Sequence, residues 1–205
     1  MDFLSSIFNP LVQALEFILG FIHDIFSVAG IESYGIAIIV LTVIIKMIFY
    51  PLTVKQVKSM KAMQELQPKM KKLQEKYKND PKRLQLEMGN LYKTAGVNPL
   101  AGCLPLLVQM PFLMGMFYAL QSLDYGGDPT FLWIKNLSNP DPFYILPVLS
   151  ALSTFIVQKQ TASSSGSAQM QMQMKIMSIV MPLFIGWISC NFAAGLVIYW
   201  IVNNV

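Results

Sequence analysis

Residues 34–52 read YGIAIIVLTVIIKMIFYPL, an apolar stretch that carries a single charge, Lys46. As a helix, these residues rise about 28 Å, which is close to the thickness of the hydrocarbon layer of a bilayer. The whole chain of 205 residues is 54% hydrophobic and only 13% charged, with a mean hydropathy of +0.50. Soluble domains carry about 25% charged residues, so this composition disfavours a soluble enzyme or a soluble nucleic-acid-binding domain. The stretch predicts a membrane-spanning helix.

Four more apolar stretches follow the first one, and the last of them is rather short for a full span. Their number predicts an all-α integral membrane protein with five transmembrane helices. The loops between the later stretches are residues 123–141 and residues 160–171, and both are rich in polar or turn-forming side chains. The four stretches comprise residues 99–122, 142–159, 172–188 and 190–205.

Residues 1–30 precede the first span and follow a different pattern. Apolar side chains such as Leu15 and Leu19 recur at spacings of three and four, with polar ones such as Glu16 between them. This periodicity is typical of an amphipathic helix, and such a helix lies in the membrane interface rather than across it. We therefore expect an interfacial helix at residues 3–28, with a membrane span as the alternative.

Residues 53–96 have the pattern of a soluble helical hairpin. Asn79-Asp80-Pro81 predicts its turn, because aspartate is a good N-cap and proline a good first helical residue, and Gly96 predicts its end. The segment holds ten lysines and one arginine against four acidic residues. This excess favours contact with anionic lipid head groups, with ribosomal RNA or a plain solvated face as the alternatives. Apolar positions on the first arm predict a two-helix seam made of Val54, Val57, Met60, Met63, Leu66, Met70, Leu73 and Tyr77.

The distribution of charge predicts the topology. Residues 1–45 hold four acidic residues and no lysine or arginine, and residues 123–141 hold three aspartates and one lysine. Because cytoplasmic loops carry the excess of lysine and arginine, the basic segment 53–96 is expected inside. The N-terminus and the loop 123–141 are then outside, the latter anchored at the interface by Phe131 and Trp133. Five spans bring the C-terminus to the cytoplasm.

Lys46 is the strongest functional clue in the sequence. A charged side chain in mid-membrane costs about 2.5–3.5 kcal/mol, and Lys46 lies about 13 Å deeper than the cytoplasmic Lys55. None of the five stretches contains Asp or Glu, so its surroundings must be water or neutral polar groups. The alternative is a lysine that reaches the lipid phosphates and has no special role. Candidate polar neighbours are Thr42, Gln109, Ser153, Thr154, Gln158, Asn191, Tyr199 and Asn203.

The sequence gives little support for a metal site or a catalytic site. One histidine and two cysteines are too few for a His/Cys metal site, and Cys103 and Cys190 are expected to be small buried apolar residues. The sequence lacks nucleophile-elbow, zinc-protease and phosphate-loop motifs. It therefore predicts no cofactor, no metal and no enzymatic activity. The methionine-rich residues 170–181 fit either an adaptable client surface or ordinary packing against lipid.

Several blocks of the chain together resemble one known family. They are IIKMIFYPLTVKQVKSMKAMQELQPKMKKLQEKY, NPLAGCLPLLVQMPFLMGMFYAL, FLWIKNL, DPFYILPVL, FIVQK and AAGLVIYWIVNN. From about residue 30 to residue 205 the sequence is similar to the YidC/Oxa/Alb family of membrane protein insertases. The resemblance implies an insertase core at residues 31–205, without the large outside domain of some members. It also implies a hydrophilic groove that opens to the cytoplasm and to lipid.

The resemblance assigns site residues and partners as expectations. The family's groove carries a basic residue, usually arginine, at the position of Lys46, and Gln158 and Trp200 match other groove positions. Polarity alone adds Thr42, Gln109 and Asn203, although both glutamines would equally serve as hydrogen-bonding groups between helices.

The expected activity is insertion and chaperoning of newly made membrane proteins in a bacterial plasma membrane, without nucleotide hydrolysis and without DNA. The protein is expected to act as a monomer, and a ribosome and a Sec-type channel are further partners that the family suggests. A small-solute or ion transporter and an assembly scaffold for membrane complexes are the alternatives.

Overall fold

The computed structural model describes residues 2–98, 104–122, 129–161 and 168–205, and in these ranges the chain is all-α. The described residues contain one isolated bridge, between Phe131 and Ile134, and no strand. Cys103, Asp124, Asp128, the start of the predicted span 99–122 and half of the predicted loop 160–171 lie outside the described residues. The helices are α1 Asp2–Val28, α2 Tyr34–Lys76, α3 Pro81–Ala95, α4 Leu104–Ser122, α5 Ile145–Thr161, α6 Ala168–Ser189 and α7 Ala194–Asn204.

Two described helical segments are long and apolar enough, by length and composition, to cross a membrane. They are Tyr34–Lys76, which contains the first predicted span, and Asn9–Val28 near the N-terminus. The apolar segments Lys175–Ser189 and Ala194–Asn204 are shorter. The count of five spans therefore stays a prediction, and both interpretations of α1, interfacial or spanning, remain open.

Helix α2 joins the first predicted span to the first arm of the hairpin without a break. The predicted span covers residues 34–52, and the helix extends well beyond it, to 43 residues in all, through Pro51 and Pro68. Proline removes one backbone N–H and displaces the carbonyl four residues earlier. Both proline side chains are exposed, so neither ring is packed against another helix. Near residue 52 the side chains change from apolar to basic, while the backbone stays helical.

The turn of the hairpin is confirmed. The backbone N–H of Arg83 donates to the Asp80 carboxylate at 3.1 Å, and Pro81 is the first residue of α3. Gly96 ends α3 with a φ of +64°, a conformation that side chains with a β-carbon avoid. Of the predicted seam, Leu66 and Met70 are buried.

Helix α3 contacts α2 only lightly, and as a result none of its residues is buried. The Tyr92 hydroxyl donates to the sulfur of Met70 at 3.6 Å, and partial burial raises the pKa of Tyr92. The phenol therefore stays protonated and able to donate at neutral pH.

The core lies where α1, α2, α4 and α7 meet. Apolar side chains of α1 at three- and four-residue spacing face inward, and the same helix leaves Phe17, Phe21 and Val28 exposed. Helix α6 packs mainly against α5 and presents a wide apolar surface outward. Such exposed apolar surfaces suit a lipid environment. The innermost side chains of this core include Leu19, Ile38, Leu41, Met116, Leu120, Ile134, Leu137 and Tyr199.

A described loop, residues 129–144, covers the ends of three helices. A β-carbon on Gly35 at the start of α2 would overlap the Phe131 ring. The N–H groups of Ala194 and Gly195 at the start of α7 donate to the carbonyls of Asn139 and Leu137 at 2.9 and 3.0 Å. These bonds satisfy donors that a helix start leaves unpaired.

Asp141 fixes the third helix end. Its carboxylate is only 3% exposed and accepts hydrogen bonds from the N–H groups of Phe143 and Leu146 and from the indole N–H of Trp133. The sequence predicts Asp141 only as one of several outside charges, whereas the structure makes it the cap of α5. The interface roles expected for Phe131 and Trp133 stay predictions, and here both side chains anchor the loop to the protein.

Candidate functional site

Lys46 lies on α2, partly buried, twelve residues after the helix begins at Tyr34. That separation corresponds to about 18 Å along the helix axis. In the part of the chain that the structure describes, no carboxylate oxygen lies within ion-pair distance of Lys46, since the ion pair found there joins His23 and Asp24. The ammonium is therefore a charge that the described residues do not neutralise.

Trp200 belongs to a polar cluster between α5 and α7. Its indole N–H donates to the Thr154 hydroxyl at 3.1 Å. One turn later, the Asn204 amide donates to the hydroxyls of Ser153 and Thr154, both at 3.1 Å. We call Ser153, Thr154, Trp200 and Asn204 the α5–α7 polar cluster. Because both hydroxyl residues are buried, these bonds hold the two helices in a fixed register.

Gln109 and Tyr199 form a second polar contact on the other side of α7. The Gln109 amide donates to the Tyr199 hydroxyl at 2.7 Å, and Tyr199 is only 1% exposed. Gln109 thus makes the hydrogen bond between helices that is the alternative to its predicted role in the groove. Its assignment to the groove stays a prediction.

Thr42 has no free polar group. Its side chain is fully buried, and its hydroxyl donates to the Ile38 carbonyl of the same helix at 2.6 Å. This local bond is a common way for a threonine to satisfy its hydroxyl inside a helix. The structure therefore brings Thr42 into the core, and its predicted role in the groove is untested.

Asn203 on α7 and Lys46 on α2 lie at a similar distance along the two helix axes from the loop 129–144. Gly195 of α7 lies against Ile38 of α2, and both helices begin beneath the loop 129–144. Eight residues further along each helix, a rise of about 12 Å, are Asn203 and Lys46. Both side chains are partly buried.

Gln158 is also partly buried, and it follows Thr154 by one helical turn. Side chains four residues apart share a face of a helix. Gln158 therefore extends the face of α5 that carries the α5–α7 polar cluster.

Asn204 and the hydroxyl pair of Ser150 and Ser189 are polar contacts that were not predicted from the sequence. The two serine oxygens lie 3.0 Å apart between α5 and α6. The position of Asn204, four residues after Trp200, is a sequence signal that would have placed it on the same helix face. Among the described residues, no three His, Cys, Asp or Glu side chains come together as a metal site would require.

Comparison with known proteins gives the family. The family model described as 60Kd inner membrane protein matches residues 25–205. A relative from Syntrophus aciditrophicus (strain SB), named membrane protein insertase YidC, is 45% identical over 197 residues, which make up 96% of this chain and 34% of the relative. The chain belongs to the YidC family of membrane protein insertases. The resemblance inferred from the sequence blocks is confirmed.

Further relatives differ in length. One from Clostridium perfringens (strain 13 / Type A), also named membrane protein insertase YidC, is 42% identical over 98% of this chain and 88% of its own length. A solved structure, titled "Active YidC insertase crystal structure with the first transmembrane domain resolved", matches with a TM-score of 0.68 and 28% identity. The match covers 100% of this chain and 45% of that chain. The chain spans about a third of the length of the curated relatives it matches first. Because it belongs to this family, the chain is a helical transmembrane protein.

Proposed function

We propose that this chain is a membrane protein insertase that moves short polar tails of client proteins through the inner half of the bilayer. The observation that carries the proposal is Lys46, a partly buried lysine in an apolar helix with no carboxylate partner among the described residues. The family, whose named relatives are insertases, supports it. A groove formed by Lys46, Gln158, Trp200, Thr42, Gln109 and Asn203 would receive the client.

The energetics favour an acidic client tail. An unpaired charge at this depth costs about 2.5–3.5 kcal/mol. A carboxylate at about 4 Å returns about 4 kcal/mol when the effective dielectric constant is near 20. The attraction therefore offsets the cost of Lys46, and the desolvation cost of the client carboxylate itself keeps the binding reversible.

Release of the client needs no nucleotide. Once the polar tail has crossed, the client's hydrophobic segment moves sideways into lipid, and removal of its apolar surface from water supplies the driving force. The hairpin at residues 53–96 would receive clients at the cytoplasmic side. Clients are newly made membrane proteins, and the ribosome and a Sec-type channel are proposed partners of a protein that acts as a monomer.

The proposed arrangement in a bacterial plasma membrane has five spans, near residues 34–52, 99–122, 142–159, 172–188 and 190–205. Residues 1–30 lie in the outer interface, and residues 31–205 form the insertase core. The loop 123–141 is outside, while the loop 160–171 and the C-terminus are cytoplasmic. Alternating charge along the sequence supports this arrangement.

The proposal is tested with purified protein in liposomes and a single-span client that has an acidic tail. We expect wild type and Lys46→Arg to insert the client, and Lys46→Met to lose at least about tenfold in rate, a change of about 1.4 kcal/mol. Lys55→Met is the matched control, because Lys55 is exposed nine residues further along the same helix.

Equal insertion by wild type and Lys46→Met would refute the role of the charge. Flux of a small solute without insertion would favour a transporter. If membrane complexes assemble equally well with wild type and with Lys46→Met, the result would support the alternative that the protein is an assembly scaffold.

A further inference from the structure

A crevice between α1 and α4 opens near the end of α4. It has a volume of about 380 Å³ and is lined by Asn9, Val12, Tyr118, Gln121 and Ser122. The two helices approach closely just beyond it. A β-carbon on Gly115 would lie 3.0 Å from the side chain of Leu11.

Glu16 stands at the edge of this crevice without a positive partner. The hydroxyl of Ser122 donates to its carboxylate, and the Glu16 side chain is partly buried. No lysine, arginine or histidine nitrogen of the described residues lies within ion-pair distance of it. The first 45 residues contain no lysine or arginine at all.

A cationic partner for Glu16 therefore has to come from outside the described residues. A partly desolvated carboxylate interacts with a cation more strongly than one in bulk water. One carboxylate, two amide side chains and one phenol are a poor set for a metal ion, which requires several anionic ligands. They match a zwitterionic group better, because the carboxylate accepts from an ammonium while amide N–H and phenol O–H groups donate to a phosphate.

We propose that this crevice binds the head group of a membrane lipid that carries a primary ammonium, as phosphatidylethanolamine does. The ammonium hydrogen-bonds to Glu16, and the phosphate lies within reach of Asn9, Gln121 and Tyr118. The inference rests on the proposed arrangement, in which α1 and the end of α4 lie at the outer membrane interface. A quaternary ammonium lacks N–H donors, so phosphatidylcholine fits the site less well.

Native mass spectrometry of the protein released from bilayers tests the site. The bilayers contain phosphatidylglycerol mixed with either phosphatidylethanolamine or phosphatidylcholine, and wild type is compared with Glu16→Gln and Glu32→Gln. Glu32 is exposed, so its variant removes the same charge without touching the crevice. We expect wild type and Glu32→Gln to retain phosphatidylethanolamine, and Glu16→Gln to retain about tenfold less, the loss expected for one charge-assisted hydrogen bond.

A second measurement needs no variant. Labelling of Glu16 by a membrane-soluble carbodiimide, located by peptide mass spectrometry, should be several-fold slower in phosphatidylethanolamine than in phosphatidylcholine bilayers. Soluble phosphoethanolamine added to phosphatidylcholine bilayers distinguishes a free head group from the intact lipid, and we expect it to protect far less.

Equal retention by Glu16→Gln, or equal labelling in the two lipids, would overturn the proposal. Both readouts are taken without a client protein. Failure of the lipid site is therefore distinguishable from failure of the insertase proposal, which the Lys46 variants test.

Discussion

At the scale of single residues, Lys46 matters because no carboxylate of the described residues lies within ion-pair distance of it. The family usually has arginine here, as the resemblance implies. Arginine offers a planar fork of donors, whereas lysine offers a compact point charge. If charge alone attracts the client, Lys46→Arg changes little. If several simultaneous hydrogen bonds matter, the arginine variant should be the faster insertase.

Replacing Trp200 with phenylalanine tests the α5–α7 polar cluster. Trp200→Phe removes the bond to Thr154 and keeps most of the ring, so we expect a loss of about 0.5–1.5 kcal/mol in the free energy of unfolding. Chemical unfolding in detergent micelles measures it. Trp187→Phe is the control, because Trp187 is 66% exposed. If both variants unfold alike, the indole hydrogen bond contributes nothing to stability.

The substitution Gly35→Ala tests how tightly the loop 129–144 packs against the start of α2. Gly35→Ala forces the new β-carbon against the Phe131 ring, and overpacking of this kind costs about 1–3 kcal/mol. The matched control is Gly20→Ala, since nothing lies within 4 Å of a β-carbon there. In the same unfolding assay the control should be neutral or stabilised by about 0.5–1 kcal/mol. If neither variant changes the free energy of unfolding, the loop 129–144 can shift to accommodate the added methyl group.

At the scale of elements, local signals predicted the helix ends and missed the continuity of α2. The cap at Asp80 and the stop at Gly96 depend on neighbours within a few residues, so the sequence contains all that they need. Pro51 reads locally as the end of a span. The helix nevertheless continues through Pro51 and Pro68, whose side chains are both exposed. A hairpin arm rigidly continuous with the span would carry movements of the hairpin to the level of Lys46.

Removing the cap of α3 should loosen the hairpin locally. Asp80→Ala leaves the Arg83 N–H without its carboxylate partner, at a cost of about 1 kcal/mol. Hydrogen exchange of the amides in the first turn of α3 should then be about fivefold faster. Asn79→Ala, in the same exposed turn, should leave these rates unchanged. An unchanged rate in Asp80→Ala would show that Pro81 alone suffices to start the helix.

At the scale of the whole molecule, the proposed topology is tested by single cysteines in a variant that lacks Cys103 and Cys190. With a membrane-impermeant maleimide, we expect Asn9→Cys and Ser138→Cys to react in intact spheroplasts. Lys78→Cys should react only after the membrane is opened. All three positions are exposed. Reaction of Asn9→Cys only from the inside would make α1 a span and would also remove the crevice from the outer interface.

The amino-acid sequence by itself determined the all-α class, the membrane character, the hairpin turn and the family, because apolar runs, periodicity and caps act over short distances along the chain. The choice among polar residues belongs to the tertiary structure. Only packing decided that Thr42 is buried in the core, that Gln109 bonds Tyr199, and that Trp200 bonds Thr154. Asp141 reads as a surface acid and becomes a buried cap. The partners of Gln109 and Trp200 lie far away in the sequence, and a buried polar atom takes whichever partner the packed helices bring within reach. The bonds of Thr42 and Asp141 are local, and packing decides there only that the two side chains are buried.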